Sequence, residues 1–268
     1  MNVDVNGHEI FVDEVGGGDP VVCVHGSWTS GATWNATAQL LSDRYRVISY
    51  DRRGHSRSQR DVPAHTIYDD AADLAVIIEQ LAGGSARVLC NSYGGVIAFR
   101  LAAMRPELFR GIASHEPPAF RVLEGGPHED VYQEVVNETT GVRALLDQQR
   151  WEDAARAFVE DVAFGQGAWE KLPPPVREMF VTNAPTYREE LNDSDALAAD
   201  LERLKTFEKP VLFTQGTQSP PRFGYVMDLL ASVLPNVRKE MITGANHAPN
   251  SSHPKEYVAA VRPFLDEL

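Results

Sequence analysis

The chain has 268 residues, enough for one large domain or a core domain carrying an insertion. Hydrophobic residues make up 43% of it, which supplies a core and argues against disorder. The formal net charge of −13 argues against nucleic acid and anionic membrane surfaces as partners.

The first apolar alternation, over 11–15, predicts a strand ended by Gly16-Gly17-Gly18-Asp19-Pro20. A buried strand follows over 20–24, closed by His25-Gly26, then a short helix over 34–41. The next strand, 46–50, runs into Asp51-Arg52-Arg53-Gly54-His55-Ser56. Ala71, Leu74, Ile77, Ile78 and Leu81 recur at helical spacing and predict a helix over 67–81. Arg87-Val88-Leu89 leads through Cys90-Asn91-Ser92-Tyr93-Gly94-Gly95 into a helical pattern ending near Met104. Another strand, 109–114, ends in His115-Glu116-Pro117-Pro118. Strands alternating with helices predict a parallel sheet covered on both faces.

After Pro118 the alternation stops. Residues 119–207 offer only helical patterns, over 131–139, 141–148, 151–164, 174–184 and 187–204. The strand pattern resumes at 210–214, followed by a helix over 223–234 and a strand over 237–242. Gly244-Ala245-Asn246-His247 precedes a last helix over 254–265, with Pro254 near its start. The expected organisation is a core of 1–118 and 208–268 and a helical cap of 119–207.

Cys23 and Cys90 lie in apolar runs and read as small core residues, with no Cys-x-x-Cys pair. No Gly-x-Gly-x-x-Gly follows the first strands and no His-x-x-x-His occurs, so neither cofactor nor metal is expected. The N-terminus has no basic or apolar region of signal type, and no apolar run approaches the ~20 residues of a membrane span. The expectation is a cytoplasmic protein that takes a small-molecule substrate, with a homodimer left open.

Strand, sharp turn and helix around Ser92 would lift its hydroxyl out at the carboxyl edge of the sheet. The pattern departs from Gly-x-Ser-x-Gly only at Cys90, a small residue. A serine needs a base within hydrogen-bond reach, and His247, just after the last strand, is the best placed histidine. The base needs a carboxylate to fix its tautomer. The usual place, the loop after the seventh strand, holds Ser219 in Gly216-Thr217-Gln218-Ser219. Glu116 ends the preceding strand, 24 residues after Ser92, and faces the same crevice, so it is the expected acid. The N–H groups of Ser27 and Tyr93 are the expected oxyanion donors, and His25 the brace of the loop that holds Ser27. Trp28, Trp151 and Trp169 are the expected substrate contacts. The apolar content of the insertion favours a hydrophobic substrate.

These motifs and their order resemble the α/β-hydrolase fold superfamily in its serine-nucleophile branch. The resemblance spans nearly all of the chain except the insertion. It implies an α/β fold with a mostly parallel eight-stranded sheet and a helical cap, and the chain order Ser, acid, His. A glutamate after the sixth strand is similar to the arrangement in haloalkane dehalogenases and zearalenone-type lactonases, but Ser92 departs from the aspartate nucleophile of the dehalogenases. What this implies is a Ser-His-Glu hydrolase of carboxylic esters or lactones. Carbon–carbon bond hydrolysis, a cofactor-free lyase reaction on the same site, and a hydrolase-derived ligand receptor are the alternatives.

Overall fold

Eight runs rich in β-branched and aromatic residues form strands, and the computed structural model describes all 268 residues. They are β1 (Asn2–Val5), β2 (His8–Val15), β3 (Asp19–Val24), β4 (Tyr45–Tyr50), β5 (Ala86–Asn91), β6 (Phe109–His115), β7 (Val211–Gly216) and β8 (Val237–Ile242). Their order across the sheet is β1-β2-β4-β3-β5-β6-β7-β8. β1 pairs with β2 and β2 with β4 in antiparallel fashion, and every other pairing is parallel. The β1–β2 hairpin, of which the sequence reading had only the strand over 11–15, turns at Asn6-Gly7, both at positive φ.

The central strands feed two cores by alternation. Val22 and Val24 of β3, Val88 and Cys90 of β5, and Val211 and Phe213 of β7 enter one cluster. Their neighbours Val21, Cys23, Leu89 and Leu212 enter the other. Helices α2 (Ile67–Leu81), α3 (Tyr93–Met104) and α9 (Arg222–Val233) supply Leu74, Ile78, Ile97 and Leu230 to the first core. α1 (Asn35–Leu41) and α11 (Pro254–Asp266) supply Leu41, Tyr257 and Val261 to the second. A capping box of Thr66 and Asp69 starts α2, a feature worth about 1 kcal/mol.

Between β6 and β7 the chain makes no strand. Its helices are α4 (Glu129–Asp147), α5 (Trp151–Ala157), α6 (Ala168–Lys171), α7 (Pro174–Asn192) and α8 (Leu201–Leu204), with a π-turn at Phe158–Ala163. α10 (Pro249–Ser252) follows β8. α4 runs unbroken through Gly141, and α7 through Pro185, where the sequence pattern predicted breaks. Thirteen buried residues, Trp28 of the main body among them, give this helical insertion a core of its own. No helix of the chain is long and apolar enough to cross a membrane.

Candidate active site

Ser92 stands between β5 and α3 at φ 52 and ψ −128, a conformation most residues avoid. The turn exists because its neighbours are small. A Cβ on Gly94 would collide with the Val24 carbonyl, and one on Gly95 with the Ser114 hydroxyl. A Cβ on Gly26 would lie 2.9 Å from the Ser92 Cβ. Cys90 takes the place of the usual first glycine by burying its side chain in the core below.

Glu116 and His247 meet from different strand ends. The Nδ1–H of His247 donates to Glu116 Oε2 at 2.6 Å, and the Gly216 N–H donates to Oε1 at 2.9 Å. This fixes the tautomer of His247 and leaves Nε2 free as an acceptor. Glu116 is fully buried and sits at φ 47, a strained bend that Pro117 follows. Burial opposes its ionisation, but the imidazoles of His115 and His247 outweigh that and hold the carboxyl below the ordinary glutamate range. Ser219 stands close to this carboxylate from the β7–α9 turn. The ring of His247 stacks on Phe223 at 4.3 Å, and Asn91 Nδ2 donates to its backbone carbonyl at 2.8 Å. Ser92 and His247 line the same cavity. No hydrogen bond joins their side chains in this structure.

Gly26 and Ser27 follow β3 beside this turn. The Ser27 N–H has no partner within the protein. Tyr93 opens α3, so its N–H is one of those a helix leaves without an internal acceptor. His25 braces the loop: Nε2 accepts from the Arg52 N–H at 2.9 Å, and Nδ1–H donates to the Gly26 carbonyl at 2.8 Å. Burial pushes its pKa down to about 4, so the ring is neutral near pH 7.

Behind the loop lies a buried charge network that the sequence did not disclose. Arg52 makes a two-pronged contact with Asp70 at 3.1 and 2.9 Å and reaches Glu190 of α7 at 2.9 Å. Its guanidinium lies 4.7 Å from the centre of the Tyr93 ring. Glu190 also accepts from the Ser27 hydroxyl at 2.5 Å. Burial pushes the Glu190 carboxyl above its ordinary pKa, against the pull of Arg52 and Ser27. Nothing in the local pattern Arg188-Glu189-Glu190 marks the second glutamate as buried; only the tertiary fold does.

The cavity at Ser92 is walled by Phe120, Phe158, Tyr187 and Phe223 among others. Trp28, Trp151 and Trp169 are not part of that wall. Trp28, at φ 65, packs against Phe158 and Tyr187 at 5.1 and 4.9 Å and joins the insertion to the main body. Trp169 is fully buried in the same cluster, and Trp151 packs on its margin. Large indoles serve here as interior packing, and Phe158 and Tyr187, of the same aromatic set, face the cavity instead. No group of His, Cys, Asp and Glu side chains is arranged to hold a metal ion.

Known proteins share this architecture. The chain is 24% identical to 2-(acetamidomethylene)succinate hydrolase from Mesorhizobium japonicum, over 98% of this chain and 94% of that protein. It is 25% identical to a pimeloyl-(acyl-carrier protein) methyl ester esterase from Aliivibrio fischeri, over 94% of this chain and 95% of that protein. The crystal structure of the enol-lactonase from Burkholderia xenovorans superposes with a TM-score of 0.74 at 24% identity, covering 99% of this chain and 100% of the other. The profile of the alpha/beta hydrolase family matches residues 21–261, and the chain belongs to that family.

Proposed function

We propose that the protein is a serine hydrolase of carboxylic esters or lactones that works through an acyl-enzyme on Ser92, His247 and Glu116. The observation that carries this reading is the 2.6 Å bond between His247 Nδ1 and Glu116 Oε2, on a histidine sharing a cavity with a serine held at φ 52. A histidine so oriented presents Nε2 as a base.

In the first half-reaction His247 takes the Ser92 proton as Oγ forms a bond to the substrate carbonyl carbon. The Ser27 and Tyr93 N–H groups bind the oxyanion. The carbon–oxygen bond to the alcohol breaks, and His247 hands its proton to the departing alkoxide. In the second, His247 takes a proton from water as the water oxygen attacks the acyl carbon. The Ser92 ester bond then breaks, and Ser92 regains a proton. Glu116 stays ionised and stabilises the imidazolium. The helical insertion acts as a cap, and the apolar wall it contributes favours a hydrophobic acyl group. The similarity to a methyl ester esterase and to an enol-lactonase supports an acyl substrate.

The test is rapid-mixing kinetics with p-nitrophenyl acetate. The expected result is a burst of one nitrophenolate per Ser92, absent from Ser92→Ala. Turnover that survives Ser92→Ala would overturn the reading.

A further inference from the structure

The cavity that Ser92 and His247 share is apolar apart from the side chains of Ser27, Ser92, Thr139, Tyr187 and His247. Four of these already have partners or roles. Ser92 Oγ and His247 Nε2 are the proposed nucleophile and base. The Ser27 hydroxyl donates to Glu190 at 2.5 Å. The Thr139 hydroxyl donates to the Val135 carbonyl at 2.8 Å, inside α4. That leaves Tyr187, on α7 of the insertion.

Tyr187 is firmly held. Its ring packs against Trp28 and against Phe158, each at 4.9 Å, and the residue is buried. Its hydroxyl feels the Glu190 and Glu138 carboxylates through space and hydrogen-bonds to no protein group. Trp28 Nε1, in the same cluster, is sealed in without a partner, whereas the Tyr187 oxygen opens on the cavity. Burial and the two carboxylates hold the phenol above its ordinary pKa, so it stays protonated and able to donate.

The cavity is small, with a free volume of about 30 Å³, room for a few water molecules at most. An acyl group carried by Ser92 displaces that water. A hydrocarbon chain then leaves the Tyr187 hydroxyl unpaired, which is costly, whereas a chain with an oxygen restores the bond. Packing alone does not call for a tyrosine, since Phe120, Phe158 and Phe223 form the same wall without a hydroxyl.

We propose that Tyr187 determines acyl specificity: its hydroxyl donates a hydrogen bond to an ether, hydroxyl or carbonyl oxygen that the acyl portion of the substrate carries in addition to the scissile ester. This rests on the serine-hydrolase reading above, because the acyl group occupies this cavity only if Ser92 carries it.

The experiment compares p-nitrophenyl methoxyacetate with p-nitrophenyl butanoate, two esters of equal length in which one ether oxygen replaces one methylene. kcat/KM is measured for both, in the unaltered protein and in Tyr187→Phe, with fluorophosphonate labelling of Ser92 in parallel. Tyr187→Phe keeps the ring packing and removes an oxygen that bonds to nothing in the protein, so it spares the fold. The intrinsic reactivity of each ester is the same with either protein and cancels in the comparison. The ratio of methoxyacetate to butanoate is expected to fall by about tenfold in Tyr187→Phe. A ratio unmoved by the substitution, with Ser92 labelled normally, would overturn this proposal alone. Equal losses on both esters would do the same and would assign Tyr187 to the oxyanion or to packing. An unlabelled Ser92 in the unaltered protein, with neither ester turned over, would overturn the serine-hydrolase reading and this proposal with it.

Discussion

The hydroxyl of Ser27 donates to the carboxylate of Glu190, a contact that ties the loop beside Ser92 to a helix of the insertion 163 positions away. Arg52 completes the tie, since the same guanidinium binds Glu190, approaches the Gly26 carbonyl at 3.4 Å and packs over Tyr93. Both proposed oxyanion donors are therefore held against one buried ion cluster. Glu190→Ala is expected to lower kcat by about 10- to 100-fold with little change in KM, because a mispositioned oxyanion donor weakens only transition-state binding. Glu190→Gln keeps an acceptor for Ser27 and is expected to recover most of that loss. Steady-state kinetics checks this, and a change confined to KM would refute it.

Glu116 and Ser219 offer a swap. Glu116→Gln removes the charge facing His247 and is expected to lower kcat by about 10³- to 10⁴-fold, the scale on which a triad acid acts. Ser219 stands beside the same carboxylate. A carboxylate placed there can reach His247 from the next strand end. The double variant Glu116→Gln, Ser219→Asp is expected to regain at least tenfold over the single one. Turnover unchanged in Glu116→Gln would remove Glu116 from the mechanism.

Acid should weaken the fold through the buried histidines His25, His55 and His115, all held below the ordinary imidazole range. Burial holds His25 and His115 down to about 4, whereas in an unfolded chain they titrate near 6.5. As pH falls below that value the unfolded state takes up protons first, so stability is greatest above it and drains away toward pH 4. Each ring costs about 3 kcal/mol across that window. Glu190 works in the opposite sense, since its raised pKa favours the folded state as pH falls. Glu116, held low, loses its contribution only below the ordinary glutamate range. Urea midpoints are expected to drop between pH 7 and pH 5, and His115→Gln to flatten the drop. A flat profile in the unaltered protein would contradict this.

The parallel strands were legible as short continuous apolar runs between turn signals, and the helices over 67–81 and 254–265 because their apolar residues repeat with a helical turn. The turn around Ser92 was legible because its close contacts demand glycine at 94 and 95. The insertion was harder. Gly141 and Pro185 punctuate the sequence, yet α4 and α7 continue through them, because burial of Val142, Ala184 and Tyr187 outweighs a local cost. Asp193 ends α7 and accepts the Ile67 N–H at 2.7 Å, so the helix expected over 187–204 stops where a core helix begins. Trp28, Trp151 and Trp169 had the composition of a binding wall, and only packing assigns Trp28 and Trp169 to the interior and Trp151 to its margin.

The most direct test of the central claim is intact-mass and peptide mapping after fluorophosphonate treatment, comparing the unaltered protein with His247→Ala. The account predicts rapid, stoichiometric adduct on Ser92 that is lost in the histidine variant. An unlabelled Ser92, or labelling equally fast without His247, would contradict it.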